Sequence, residues 1–295
     1  MIIQHIEDLD FTLDDIASMP LPRKVLMVDP EYFDVVYVIN PHMEGNEGTV
    51  EAGEARQQWK EVRQSFEALG LPVSVVEGQK DLPDMVFAAN QSLPCETEDG
   101  HRFVVMSKMQ SDHRKDEVPY IEQWYRQNGY EIHYLDDDIE TFEGMGDAIW
   151  HTGKRLLWGG HGIRSSSSAY EQISEELDVP VIMLQLTDPS FYHLDTCLGI
   201  LDSNTALIYP DAFSDDSLDL IHTLIPNVIE ADRYEAEELF ACNASCPDGK
   251  NVLIQKGTDE VNRQLTAQGF VVHELDTTEF LKAGGSVYCM KMLIW

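Results

Sequence analysis

Apolar residues recur along the chain at two spacings, one typical of helices and one typical of short strands. Spacings of three and four residues predict amphipathic helices in five segments, 54–69, 114–127, 166–177, 215–224 and 259–267. A turn and a short run rich in β-branched or aromatic residues follow each segment, at 72–76, 130–134, 179–184, 227–230 and 269–273. We therefore predict five helix–turn–strand units in chain order.

A third kind of segment, which mixes small, polar and reactive residues, follows each predicted strand. These segments are 84–90, 142–147, 191–196, 241–245 and 284–289, and further strands are predicted at 205–209 and 251–255. A unit of roughly 45–60 residues is typical of a repeat architecture. Because one unit cannot bury its apolar face alone, we expect the five units to close into a ring around a shared axis.

The first 22 residues lie outside this pattern. Residues 8–17 predict a short acidic helix that packs on the edge of the ring. Residues 23–295 contain no segment with the composition of an interdomain linker, so we predict a single α/β domain there, preceded by an N-terminal extension of residues 1–22.

Composition narrows the classes of function. Apolar residues make up 43% of the chain, enough for a large core, and 20 basic against 53 acidic residues give a net charge of -33. This charge excludes nucleic acid as a partner, because phosphates would be repelled. It would attract a cationic ligand, although a solvated acidic surface is the simpler interpretation. No apolar run reaches the length of a membrane helix, so no membrane partner is expected.

Five cysteines and the N-terminal residues bear on the compartment. The cysteine count is odd and the spacing irregular, which argues against a disulfide framework. The first ten residues carry acids where a secretory signal has basic residues, so a reducing cytoplasm is expected. No matched pair of Cys or His motifs indicates a metal site, and no metal or cofactor is expected.

Two of the reactive segments contain candidates for nucleophilic chemistry. Cys289 follows two glycines, which allow close backbone approach, but a single cysteine is also commonly a small buried apolar residue. His193 and Asp195 are two residues apart on a strand-like run, so their side chains face the same way. The histidine can exchange a proton near neutral pH, and the aspartate can hold a cation. A structural histidine beside a capping aspartate is the alternative.

The remaining candidates are acids and amides in the other reactive segments and in one loop. Glu143 and Asp147 flank a glycine-rich bend, where either acid can orient the histidine. Turn and capping roles compete with binding roles for all of these residues. The further candidates for substrate binding are Asp84, Asn90, Asn40 and Asn46.

Taken together, residues 25–295 resemble the guanidino-group-modifying enzymes, the pentein superfamily. The similarity rests on four motifs in a specific order: Asp84-Met85-Val86-Phe87, Phe142-Glu143-Gly144, His193-Leu194-Asp195-Thr196 and Gly284-Gly285-Ser286-Val287-Tyr288-Cys289. The resemblance implies a five-bladed α/β propeller of five pseudo-symmetric ββαβ repeats. It also implies hydrolysis of C–N bonds in a small guanidino substrate.

The resemblance further implies roles for individual residues. Cys289 would be the nucleophile, His193 the acid and base, and Glu143 its acidic partner, preferred to Asp147 as the first acid of its motif. Carboxylates would hold the guanidinium group. The substrate-binding residues implied in this way are Asp84, Asn90, Asp195, Asn40, Asn46 and Asp147.

Asn90 indicates which member of the superfamily the chain resembles, since many relatives carry an aspartate there. A neutral amide can hold a cationic guanidinium and also a neutral ureido group, which would permit a second hydrolysis. The segments around Asn40, Asn46 and Asn90 resemble the arginine dihydrolases, which convert arginine to ornithine, ammonia and carbon dioxide.

Other functions stay open at this point. Among enzymes that act on guanidino groups, the alternatives are arginine deiminase, dimethylarginine dimethylaminohydrolase and an amidinotransferase. A catalytically inactive ring that binds arginine is the alternative outside enzymes. The sequence does not determine whether the chain forms a homo-oligomer.

Overall fold

The structure, a computed structural model, describes residues 1–97 and 100–295. Its strands are β1 (Ile2–Ile3), β2 (Lys24–Val28), β3 (Val73–Val76), β4 (Ser92–Glu96), β5 (Arg102–Met106), β6 (Glu131–Tyr134), β7 (Ala148–Trp150), β8 (Leu157–His161), β9 (Val181–Gln185), β10 (Leu198–Ile200), β11 (Thr205–Ile208), β12 (Asn227–Glu230), β13 (Asn251–Gln255), β14 (Val271–Leu275) and β15 (Met292–Ile294). Its α-helices are α1 (Ala52–Ala68), α2 (Val118–Gln127), α3 (Gly144–Asp147), α4 (Ala169–Leu177), α5 (Asp215–Leu224), α6 (Asp259–Ala267) and α7 (Thr278–Leu281).

These elements form an α/β fold with small mixed sheets. The sheet orders in the described residues are β15-β2-β3, β4-β5-β6, β1-β9-β8-β7, β10-β11-β12 and β13-β14. In each sheet, a crossover helix connects one strand to the parallel strand beside it. Helix α5, for example, connects β11 to β12. In four of the sheets, a short antiparallel strand pairs with the other side of the first strand.

The crossover helices form where the apolar spacing predicts them. Helix α5 begins after Ser214, whose hydroxyl accepts a hydrogen bond from the backbone N–H of Ser217; a serine at this position satisfies an otherwise free helix donor. Helix α1 buries Trp59, Val62 and Phe66 on one face and exposes its charged residues on the other. Burial of one such large apolar side chain contributes about 1.5–3 kcal/mol to folding.

The predicted helix at 8–17 is wrong. Two single turns of 3-10 helix, Ile6–Asp8 and Leu13–Asp15, occupy this region. Asp8 and Asp15 each accept hydrogen bonds from the backbone three residues earlier, at His5 and Thr12. These short-range hydrogen bonds close each turn and compete with a continuous helix.

Several other boundaries differ from the predicted ones by one to four residues. Helix α2 begins at Val118 and not at residue 114, because a 3-10 turn (Lys115–Glu117) precedes it. Helix α4 begins at Ala169, and β14 lies two residues beyond its predicted position. Helices α5 and α6 have the predicted bounds.

Both ends of the chain contribute strands to sheets formed mainly by other segments. Strand β1 pairs parallel with β9, and the Met1 amino group donates to Ser174 Oγ at 2.6 Å. Strand β15 pairs antiparallel with β2. The segment that contains Cys289 precedes β15, so this pairing anchors it to the opposite end of the chain.

Candidate active site

A small cavity lies where several of the reactive segments meet. Two polar groups that the sequence motifs place far apart, the Asp84 carboxylate and the Cys289 thiol, both line it. The residues that line the cavity are Ile39, Asn40, Met43, Asp84, Phe87, Asn90, Arg114, Arg164, Tyr192, Ala283 and Cys289.

Asn243 holds the segment that carries the cysteine. Its side-chain oxygen accepts hydrogen bonds from the backbone N–H groups of Ser286, Tyr288 and Cys289 at 3.1, 3.1 and 3.2 Å. Its Nδ2 donates to the Cys289 sulfur at 3.1 Å. At the start of this segment, Gly284 has a positive φ of 82°, and a Cβ atom there would come within 2.8 Å of Asn40 Oδ1. Only glycine meets both conditions without strain.

The Cys289 thiol is buried and contacts a carboxyl group. It donates to Asp195 Oδ2 at 3.2 Å, and only 2% of the cysteine is exposed. Burial and the neighbouring Asp195 raise the pKa of the thiol well above its ordinary value. Burial likewise raises the pKa of Asp195 to about 7, although the thiol hydrogen bond and the charge of Lys291 oppose this rise. Without a ligand, the thiol therefore keeps its proton at neutral pH.

His193 is held by a buried carboxylate. Its Nε2 lies 2.6 Å from Glu143 Oε2, and its Nδ1 lies 3.5 Å from Asn90 Nδ2. The glycine-rich bend allows this approach, since a Cβ on Gly146 would lie 3.3 Å from the imidazole Cγ and would collide with the Asn90 amide. Because Asn90 lines the cavity, it links the imidazole to the cavity wall.

Glu143 remains ionised in spite of its burial. Burial raises the pKa of its carboxyl group, but the hydrogen bond and charge of His193 and the charge of Arg164 outweigh burial and lower the pKa to about 2. Arg164 Nη1 donates to Glu143 Oε2 at 3.2 Å, and the Gln110 backbone N–H donates to Oε1 at 2.9 Å. The carboxylate can therefore stabilise a protonated imidazole.

Asp147, the other acid of this bend, makes structural contacts. Its Oδ1 accepts from the Leu194 backbone N–H at 3.0 Å, and its Oδ2 accepts from Ser165 Oγ at 2.6 Å. Burial raises the pKa of its carboxyl group to about 6. It thus fixes the segment that carries His193 but does not line the cavity.

Asp84 faces the cavity with both carboxylate oxygens free of hydrogen bonds to the described residues. Burial raises the pKa of Asp84, and the nearby Arg114 guanidinium opposes this rise. Arg114 Nη1 donates to Asn90 Oδ1 at 2.8 Å, and the same guanidinium pairs with Glu117 at 2.9 Å. The Tyr37 hydroxyl, which is also buried, lies near this carboxylate and lowers its pKa, although neither group makes a hydrogen bond of normal geometry. A buried carboxylate with so few donors is suited to a cationic ligand with paired N–H groups.

Asn40 and Asn46 are not equivalent. Asn40 lines the cavity, its oxygen caps the turn at His42 and Met43, and its Nδ2 donates to the Ala283 carbonyl at 3.1 Å. Asn46 lies outside the cavity, where its Nδ2 donates to the His42 carbonyl at 2.8 Å. The structure therefore brings Asn40 together with Asp84, Asn90 and Cys289, and it leaves Asn46 apart.

Sequence reasoning missed several residues of the site. Arg114 and Arg164 both line the cavity, so its wall carries two cations as well as a carboxylate. The Arg164 guanidinium also lies 4.9 Å from the centre of the Tyr192 ring. Asn243 lay within a reactive segment, but asparagine is so common in turns that only its three-dimensional contacts distinguish it.

The described residues contain neither a metal-binding cluster nor a membrane-spanning helix. No group of three or more metal-ligating side chains occurs in this part of the chain. Within the same residues, no helix is long and apolar enough to span a membrane. The five cysteines are all free.

Comparison with known proteins gives the family. Residues 39–295 match the family described as N,N dimethylarginine dimethylhydrolase, eukaryotic. The chain is 38% identical over 275 residues to the bifunctional arginine dihydrolase/ornithine cyclodeaminase ArgZ of Synechocystis sp., covering 92% of this chain and 37% of that protein. It is 34% identical to the N(G),N(G)-dimethylarginine dimethylaminohydrolase of Mycobacterium tuberculosis, covering 93% of this chain and 87% of that one.

Solved structures agree with these sequence matches. The N-terminal domain of ArgZ, described as an arginine dihydrolase from the Ornithine-Ammonia Cycle in Cyanobacteria, has been solved with substrate bound and with a covalently bound reaction intermediate. The TM-scores are 0.87 and 0.86, each at 36% identity over 92% of this chain and 97% of that chain. The chain spans little more than a third of the full-length cyanobacterial relatives.

The α/β fold and the polar cavity with its buried thiol define a protein of the pentein, or guanidino-group-modifying, superfamily. Within that class, the chain belongs to the dimethylarginine dimethylaminohydrolase family.

Proposed function

We propose that the protein is an arginine dihydrolase that converts arginine and two waters to ornithine, two ammonia and carbon dioxide. The observation that carries the proposal is the cavity itself, where an unpartnered buried carboxylate, Asp84, faces the same space as the Cys289 thiol. The similarity to the substrate-bound and intermediate-bound domain of ArgZ supports it. We further propose that the five sheets are the blades of an α/β propeller, formed by residues 23–295, with residues 1–22 as an extension.

In the proposed reaction, the Cys289 thiol passes its proton to the Asp195 carboxylate that it contacts, and the thiolate attacks the guanidino carbon of arginine. His193 protonates the departing ammonia, which leaves an amidino group bonded to sulfur, and then takes a proton from the attacking water. Hydrolysis releases the thiolate and forms citrulline. Because the ionised Glu143 accepts from Nε2, the Nδ1 atom is the one that exchanges protons.

In a second cycle, citrulline is hydrolysed while it is still bound in the cavity. The thiolate attacks the ureido carbon, ornithine departs, and water converts the remaining carbamoyl group to carbamate, which yields ammonia and carbon dioxide. Asn90 supports this second step, since its amide carries no charge and has no preference for the cationic first substrate.

We propose that the guanidinium and carboxylate ends of arginine bind to residues of opposite charge on the cavity wall. Asp84, with both oxygens free, would accept from the guanidinium. Asp195, beside the sulfur, would balance the positive charge of the guanidinium group, and Asn40 would form part of the wall. Arg164 offers a guanidinium group for the substrate carboxylate, whereas Arg114 is held against Asn90 and Glu117. Asp147 would act indirectly, because it fixes the position of His193. Asn46 lies in a neighbouring pocket with His42 and Ser190, so we propose that it contacts the substrate only from outside the cavity.

The test is product identification by mass after incubation of the purified protein with arginine. Ornithine and ammonia are expected, in a ratio of one to two, and Cys289→Ser is expected to lower turnover by at least a thousandfold. The Ser variant retains the fold, which circular dichroism checks. Accumulation of citrulline as the end product would show a single hydrolysis and reject the dihydrolase.

The second candidate is hydrolysis of dimethylarginine, which the family match and the 34% identical mycobacterial relative favour. It predicts citrulline and dimethylamine from N(G),N(G)-dimethylarginine. The same assay with this substrate decides between the two. A higher kcat/KM for dimethylarginine than for arginine would establish the second candidate.

A further inference from the structure

Lys291 is a fully buried lysine close to the nucleophile. It lies two residues after Cys289, its exposed fraction is 0%, and its Nζ has no hydrogen-bond partner among the described residues. The Nζ lies 2.9 Å from the centre of the Tyr288 ring. Lysine is almost never buried without a partner, because its charged form loses hydration in an apolar site. A lysine in this position requires a physical reason.

Two titratable groups act on Lys291. They are Cys289, from the same segment, and Asp195, from the segment that precedes β10. Asp195 also has an unpartnered buried oxygen, Oδ1, while its Oδ2 accepts from the thiol. The Tyr288 hydroxyl stays neutral, because burial raises its pKa well above the ordinary value. An amine, a carboxyl group and a thiol thus form one electrostatically coupled cluster.

We propose that Lys291 is a positioning residue for Cys289, and that its buried amine supplies the positive charge that favours the thiolate. The proposal rests on the proposed role of Cys289 as nucleophile. Lys291 is not among the residues that line the cavity, so it acts through the sulfur and not on the substrate.

The charges of the cluster explain why a cation is needed. Loss of the thiol proton beside an ionised Asp195 places two negative charges 3.2 Å apart in a site without water contact. Repulsion between like charges disfavours this state. Burial lowers the pKa of Lys291 well below its ordinary value, which favours the neutral amine while the thiol keeps its proton. When the thiol ionises, the amine gains a proton, because the negative charges of Cys289 and Asp195 favour its charged form. The ammonium group formed in this way compensates one of the two negative charges.

The experiment measures the rate of Cys289 alkylation by iodoacetamide against pH, without substrate, by mass of the peptide that contains Cys289. Lys291→Met, which keeps the length and removes the charge, is expected to raise the midpoint by about one pH unit. Below the midpoint, the alkylation rate is then about tenfold lower than in the wild type. Lys291→Arg, which keeps the charge, is expected to restore much of the difference.

The matched control is Tyr288→Phe, which retains the ring and leaves the midpoint unchanged. An unaltered midpoint in folded Lys291→Met overturns the proposal. Should that variant not fold, the wild type labelled with ¹³C at lysine Cε provides the test: alkylation of Cys289 must shift the titration of the buried lysine, since coupling between two sites is reciprocal. An unshifted titration overturns the proposal.

This readout is independent of turnover. A shifted alkylation midpoint in a protein that does not consume arginine would reject the proposed function and leave the coupling intact. Normal ornithine production with no shift in the midpoint would reject the coupling alone.

Discussion

Asp195 is a fully buried carboxyl group with one unpartnered oxygen, so its ionisation opposes folding. Because its folded pKa is raised to about 7 from 3.8, the folded state holds this proton more tightly than the unfolded state does. The stability contributed by the protonated form is therefore complete below pH 3.8 and is lost as the pH rises towards 7.

Replacement of Asp195 by Asn is accordingly expected to stabilise the protein at pH 8. We expect a rise in Tm on the order of several °C that shrinks towards zero near pH 4, measured by thermal unfolding at both values. The exposed Asp137→Asn is the control and should change Tm much less at pH 8 than Asp195→Asn does. A gain that persists unchanged at pH 4 would contradict the assigned cause.

Asn90 is expected to determine whether the reaction stops after one hydrolysis. In Asn90→Asp, a carboxylate beside Arg114 and His193 would favour the cationic substrate over the neutral citrulline. We predict that citrulline accumulates and that the ratio of ornithine to citrulline falls at least tenfold, as measured by mass. Asn227→Asp, at an exposed position of β12, is the control and should leave this ratio as in the wild type.

At the level of single residues, the sequence predicts some of the residues that line the cavity and misses others. The motifs identified Asp84, Asn90 and Cys289, and the structure places all three on one cavity wall. Arg114 was assigned to the start of a helix, but it lies before α2 and is buried against Glu117. Its contacts with Asn90, 24 residues away, depend on the packing of several units, which no local pattern specifies.

At the level of elements, local patterns predicted the helices best. Helices α5 and α6 have the predicted bounds because apolar spacing defines both, and the Ser214 cap also fixes the start of α5. The acidic segment 8–17 failed because its aspartates bond to nearby backbone and form separate turns. The order of strands in each sheet, including the β15–β2 pair, could not be predicted, since partners come from distant segments.

Strand β15 provides a test of that long-range pairing. Ile294 is 2% exposed, whereas its neighbour Leu293 is half-buried on the other face. We predict that Ile294→Ala lowers the free energy of unfolding by about 2–5 kcal/mol, as measured by urea denaturation. Leu293→Ala should lower it clearly less; equal losses would argue against the assigned faces of the strand.

Over the whole molecule, the net charge of -33 is the dominant electrostatic feature. Like charges at the surface repel one another in the compact state, and salt screens them, with a Debye length of about 10 Å at 0.1 M. We therefore predict that Tm rises as NaCl increases from about 0.02 to 0.3 M. Sucrose at matched osmolality is the control, and a Tm that is insensitive to salt would show that the acids are locally compensated.

Asn243 bonds to three backbone N–H groups and to the sulfur of the segment that ends at Cys289. The conformational entropy of that segment is therefore lost when the protein folds and not when a ligand arrives. Calorimetry of ligand binding should accordingly show little ordering of the protein around the nucleophile. A nucleophile held in this way needs no rearrangement when a ligand binds. The reaction rate then depends on how the ligand enters the cavity and on its orientation there.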